Sequence, residues 1–176
     1  IDMIKMFCIE YELVVNQDYR KLGISKLERF FYPISSQTFF QVNSIFREIS
    51  KGKNNKPKNI IIKGRDFNIN NYFEGIARFS FNDLCGTSIG AEDYIKIADH
   101  CNFILINSVP NFDDENVDKQ QRFITLIDIL YEKKIPIMVT ADFNYKNFKS
   151  SRRLHDSYKR TISRLYELTS PKFKIK

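Results

Sequence analysis

Glycine is scarce in this chain, with six in 176 residues and most of them isolated. A loop that wraps a triphosphate needs glycines close together so that backbone amides can approach the phosphates. No G-x-x-x-x-G-K-S/T, G-x-G-x-x-G, G-x-S-x-G or H-E-x-x-H string occurs, which excludes a phosphate cradle or a hydrolase centre built by this stretch alone. Cysteine is equally sparse. Cys8, Cys85 and Cys101 are odd in number and far apart, with no C-x-x-C, and read as buried thiols of a reducing compartment. Only His100 and His155 are present, so no metal site is expected. No apolar run has the length needed to cross a bilayer and no signal peptide is visible, so a soluble, cytoplasmic protein is expected. An initiator methionine is also missing: the chain opens at Ile1 in what reads as mid-helix, which predicts one piece of a longer polypeptide.

What is present begins with charge. Lys and Arg total 28 against 21 Asp and Glu, a net +7, which suits an anionic partner such as nucleic acid, a nucleotide phosphate or an anionic membrane surface. The lysines are scattered, as on a solvated surface. The densest basic stretch, Lys51 to Lys58 (KGKNNKPK), reads as a mobile loop. It has no interleaved aromatics on which bases could stack, which disfavours nucleic acid and leaves peripheral contact with a membrane open.

The chain is organised around residues 103–142. Phe103 to Ile106 and Ile135 to Val139 are continuous apolar runs, as expected of strands buried on both faces. Between them Phe123, Ile124, Ile127, Leu130 and Tyr131 recur at helical spacing, with Asp118 placed to cap and Gln121 three residues on. Strand, helix, strand of this length predicts two parallel neighbours, hence an α/β fold with a mainly parallel sheet. Asn107, Ser108, Thr140 and Asp142 then fall at the carboxyl edge, where open parallel sheets bind ligands, and are the candidate binding residues.

Other segments are read more coarsely. Ile1 to Cys8 reads as the tail of a helix, Glu12 to Val15 as a short strand, and residues 21–34 as a connector ending in Phe30, Phe31 and Tyr32. Ser36 is expected to cap a helix carrying Phe39, Val42, Phe46 and Ile49, which Gly52 ends. From Lys51 to Phe81 a hairpin-bearing flank is expected, with a strand at Asn59 to Lys63, a turn at Gly64-Arg65 and one extended run from Tyr72 to Phe81. Thr87 or Ser88 is expected to cap a helix to about Asp99. A last helix runs from about His155 to Leu168, stopped by Pro171. On it Arg160 and Arg164 lie four apart, with Arg153 before them and Glu167 after. Like charges at that spacing cost a few tenths of a kcal/mol, roughly, unless something anionic compensates. Either Glu167 pairs with Arg164, or the two guanidiniums address a phosphate, for which arginine's planar fork is well suited. Asp18 with Arg20 and Glu92 with Asp93 read as structural charges, and Arg122 and Asp128, flanking the apolar face of the central helix, either pair with neighbouring elements or are solvated.

Six blocks then stand out in order: DYR at 18–20, GR at 64–65, FSFNDLC at 79–85, GAEDYI at 90–95, RFITLIDILY at 122–131 and RTISRLYEL at 160–168. Together they resemble the carboxy-terminal half of the AFG/ZapE family of AAA-type P-loop ATPases. The resemblance implies an ATPase using ATP and Mg²⁺ in the complete protein, with division-ring or membrane-protein clients and oligomeric assembly left open. It implies that the Walker A and B region precedes residue 1, so that residues 1–176 form a single carboxy-terminal module, inactive and nucleotide-free by itself, that works with a P-loop half of the same or a split protein. It also implies a role for Arg164, supported by Arg160, as an arginine finger on the nucleotide. A second reading is a non-catalytic remnant that binds a protein through exposed aromatics such as Phe30, Phe31 and Tyr32.

Overall fold

The computed structural model describes residues 28–173. The expected helix tail at Ile1 to Cys8, the strand at Glu12 to Val15 and the Asp18/Arg20 pair lie outside them. In order the elements are β1 (Phe30–Phe31), α1 (Ser36–Ile49), β2 (Lys58–Ile62), β3 (Arg65–Ile69), β4 (Asn71–Phe73), β5 (Ile76–Ser80), α2 (Phe81–Cys85), α3 (Ala91–Asp99), β6 (Phe103–Val109), α4 (Val117–Glu132), β7 (Ile137–Ala141) and α5 (His155–Thr169).

The core is the expected one. β6 and β7 are parallel neighbours joined by α4, with Ile104 opposite Ile137 and Ile106 opposite Val139. Their first residues are almost wholly buried because both faces of the sheet are covered. The full order is β1-β7-β6-β5-β4, parallel except for β4, which returns antiparallel beside β5; β2 and β3 form a separate two-stranded sheet. Among the described residues one face packs against α1 alone, where Val42, Ile45 and Phe46 meet Phe31, Ile76, Phe103, Leu105 and Met138. The other face carries the larger core with α2 to α5, centred on Ile104, Ile106, Phe123, Ile127, Val139 and Leu165.

β1 is two residues long and has no periodicity to betray it. Its place is fixed by Arg29. The Arg29 amide donates to the Thr169 carbonyl, and its carbonyl accepts from Val139. Its buried guanidinium donates to the carbonyls of Ile137, Leu168, Ser170 and Phe173. Burial lowers the Arg29 guanidinium to about 10, offset in part by Tyr145. Five acceptors at the end of α5 and the start of β7 are thus gathered on one residue, consistent with the negative end of a helix dipole.

Element ends differ from the sequence reading for local reasons. Ser35, not Ser36, caps α1: its hydroxyl accepts from the Thr38 amide while the Thr38 hydroxyl accepts from Ser35. α3 begins after Gly90 rather than Thr87 or Ser88, because the Asp93 carboxylate turns back to the Gly90 amide. α4 is capped by Asn116, and Asp118 sits inside its first turn. The run from Tyr72 to Phe81 is broken at Glu74-Gly75, both at positive φ, into β4 and β5. Phe81 then opens α2 through a reciprocal cap between Ser80 and Asp83. Arg65 is not in the turn but opens β3, the turn residues being Lys63 and Gly64. Residues 51–57 form a loop tied back by Lys53 to Ser50 and by Lys56 to Tyr72.

Candidate functional site at the carboxyl edge of the sheet

β6 does not run straight to its end. Its register with β7 slips between Ile106 and Val109, and Ser108 sits at φ +61°, a left-handed conformation that a residue with a Cβ adopts only where its surroundings hold it. The holding contact is visible: the Ser108 amide donates to Thr140 Oγ1 at 2.7 Å. The bulge turns Asn107 and Ser108 toward a cavity of about 220 Å³ that Thr140 also lines. Three of the four predicted edge residues are therefore brought together. Asp142 is not among them; it is exposed, and its amide serves the Val109 carbonyl.

The remaining wall was not legible in the sequence. It comes from Ile34 and Ser35 of the β1–α1 connection and from Thr38 and Phe39 of the first helical turn. Strand, loop and helix N-terminus at the carboxyl edge of a parallel sheet is the arrangement that holds phosphates in P-loop proteins. Here the loop runs Tyr32-Pro33-Ile34-Ser35, the first amides are occupied by the Ser35–Thr38 box, and Ile34 and Phe39 present apolar side chains to the space. Among the described residues no lysine, arginine or carboxylate lines it. These residues do not fit a magnesium-bound triphosphate, which needs backbone donors, a cation and an oxygen-ligand set. The cavity offers one neutral amide and hydroxyls against an apolar wall. It can bind a neutral group but supplies no acid or base.

Arg164 is committed elsewhere. Its guanidinium is paired with Asp128 of α4 and lies 5.3 Å from the centroid of the Tyr131 ring. Glu167, the partner expected within the helix, instead accepts from the Tyr131 hydroxyl at 2.8 Å. The four side chains form one clasp between α4 and α5. Arg164 also stands nine residues past His155, about 14 Å along a helix that runs away from the sheet's carboxyl edge. Arg160 is one turn nearer that edge, exposed, and makes no ion pair among the described residues. Arg153 precedes α5 rather than lying on it. Arg122 donates to the Cys85 carbonyl and so closes the end of α2. Glu92 and Asp93 pair with Lys63 and Arg65.

The other reactive groups are silent. Burial pushes the Cys85 and Cys101 thiols up to about 12, and burial raises Tyr94, Tyr145 and Tyr158. None supplies a nucleophile at neutral pH. Among the described residues no group of His, Cys, Asp and Glu could hold a metal ion, and no helix is long and apolar enough to cross a membrane. Of the exposed aromatics expected at 30–32, Phe31 is buried and Phe30 is packed against Phe143 and Tyr145. The exposed apolar side chains there are Tyr32, Ile34, Phe39 and Phe40.

Fold and edge thus define an α/β module whose ligand edge is built from neutral and apolar side chains. The model of the AFG1-like ATPase family matches residues 1–176, and the chain belongs to that family. It is 31% identical over 146 residues to lactation elevated protein 1 homolog B of Danio rerio, an alignment covering 81% of this chain and 29% of that protein. It is 24% identical over 173 residues to the cell division protein ZapE of Escherichia coli K12, covering 98% of this chain and 46% of the relative. An uncharacterised protein of Schizosaccharomyces pombe is 25% identical over 127 residues, covering 71% and 28%. The chain therefore spans less than half the length of these relatives. No solved structure matches.

Proposed function

We propose that this chain is the carboxy-terminal, non-hydrolysing half of a ZapE-like ATPase, and that ATP and Mg²⁺ are held by a P-loop half in the same or a separate polypeptide. The observation that carries the reading is the edge cavity: it lies where a phosphate loop would, yet Ile34 and Phe39 form part of its wall and no charge lines it among the described residues. The contribution to ATP chemistry is assigned to Arg160, with Arg164 holding α5 in place through Asp128 and Tyr131. An exposed arginine reaching a transferring phosphoryl group is worth about 10³ to 10⁵ in rate. A division-ring or membrane-protein client, oligomeric assembly and a cytoplasmic location belong to this reading by likeness to the family.

The test joins the chain to the P-loop half encoded upstream and measures ATP turnover. Arg160→Ala is expected to lower turnover by about a hundredfold or more with nucleotide affinity retained; unchanged turnover contradicts the role. A second reading, a protein-binding remnant, is favoured by the four exposed apolar side chains between Tyr32 and Phe40. A degraded reading frame upstream, with no G-x-x-x-x-G-K-S/T, would select it.

A further inference from the structure

A larger cleft, of about 450 Å³, lies away from the edge cavity, between the β2–β3 hairpin and the margin of the main sheet. Its long walls are strand edges. Four consecutive residues of β3, Arg65 to Asn68, line one side, and Arg78 and Phe79 of β5 line the other. Side chains of successive strand residues point to opposite faces, so four in a row can border one space only when the backbone edge itself faces it.

Neither edge has a partner strand at that level among the described residues. β3 pairs only with β2. β4 stops at Asn71 opposite Arg78, so Phe79 is paired with β6 on one side and open on the other. The hairpin closes through two residues at positive φ, Lys63 and Gly64, with Ile62 opposite Arg65. In such a two-residue hairpin the closing pair exchanges both hydrogen bonds, and alternate pairs do the same. Ile60–Phe67 and Lys58–Ile69 are then bonded across the hairpin, and the backbone N–H and C=O of Asp66 and Asn68 point outward. An unpaired row of this kind is a template for another strand.

The charges along the cleft are unequal in their commitments. Asp93 pairs with Arg65 and caps Gly90, and Asp83 caps Ser80. Among the described residues Arg78 has no carboxylate partner; it donates to Asn43 Oδ1 and lies over the Phe46 ring, both on α1. Half-buried, its guanidinium is pulled down by desolvation. Asp66 accepts from Asn59 and has no cation partner among the described residues, so the lining carries unpaired charge of both signs; its apolar part is Phe67, Phe79 and Ile89.

We propose that this cleft receives an extended peptide, which pairs with the outward amides and carbonyls of β3 and lays alternate apolar side chains on Phe67 and Phe79. This is recognition by strand addition, where main-chain bonds give affinity and alternate side chains give selectivity. It assigns polypeptide binding to this half whether or not a nucleotide half accompanies it, so the test needs this chain only.

The experiment titrates the ¹⁵N-labelled chain with an acetylated, amidated peptide in which valine alternates with threonine. The Asp66 and Asn68 amide signals are expected to shift and to exchange more slowly with solvent. Asn68→Pro removes one outward N–H without touching the bonds to β2 and is expected to weaken binding about tenfold. A peptide N-methylated at alternate residues is expected not to bind. Shifts confined to other regions, no binding at millimolar peptide, equal binding of the N-methylated peptide, or sedimentation showing two copies of the chain joined through β3 would each overturn the proposal.

Discussion

Arg164 shows how a single side chain divides between readings. Its spacing from Arg160 was visible in the sequence, and so was Asp128, but the two lie on different helices and nothing local joins them. The near neighbour Glu167 was the natural partner by spacing; the structure gives it to Tyr131. Asp128 and Arg164 keep 39% and 32% of their side-chain surfaces exposed, so solvent screens much of their attraction. Arg164→Ala is expected to lower stability by about 1 kcal/mol, combining a screened ion pair with a lost ring contact, and Arg164→Lys to recover only part, because an ammonium lacks the planar stack. Urea unfolding measures both. The thiols make a pH prediction. Cys85 and Cys101 have folded values near 12 against an ordinary 9.0. The folded state therefore holds protons that the unfolded chain releases, and their contribution is full below pH 9 and lost between pH 9 and 12. Within that window each thiol is expected to add about 1.4 kcal/mol per pH unit to the loss. Comparing Cys101→Ala with the parent in alkaline unfolding should show a shallower fall.

At the scale of elements, legibility followed the strength of the periodic signal. β6, α4 and β7 were readable because continuous apolar runs and helical spacing leave few alternatives. β1 was not, since two residues carry no pattern and their position depends on Arg29. β3 was missed for a different reason: Arg65-Asp66-Phe67-Asn68-Ile69 alternates, but weakly, and its pairing with β2 is set by a turn at Lys63-Gly64. The hairpin between β4 and β5 turns on Gly75, at φ +93° with Asn102 Nδ2 only 2.8 Å from where a Cβ would stand. The Gly75 carbonyl also accepts from Asn102 at 2.6 Å. Gly75→Ala is expected to cost about 2 kcal/mol, since both the left-handed backbone and the close neighbour oppose a methyl group. Thermal unfolding of this variant checks it; a change within a few tenths of a kcal/mol would show that the turn relaxes freely.

For the whole molecule, parallel topology singles out one edge of the sheet. Asn107, Ser108 and Thr140 meet there because β6 bulges, whereas Asp142 turns away to the surface. What the sequence could not show was that the β1–α1 loop closes over the same edge, because β1 itself was invisible. Two clefts among the described residues differ in character, one small and neutral at the sheet's carboxyl edge and one larger and bounded by strand edges. Only the first is where nucleotide would sit in a P-loop protein, and its walls oppose a triphosphate. Isothermal titration of the 176-residue chain with a non-hydrolysable ATP analogue and Mg²⁺ tests that directly. No saturable heat is expected at millimolar analogue; magnesium-dependent binding in the micromolar range, lost on Thr140→Val, would place the nucleotide in this half and contradict the proposed division of labour.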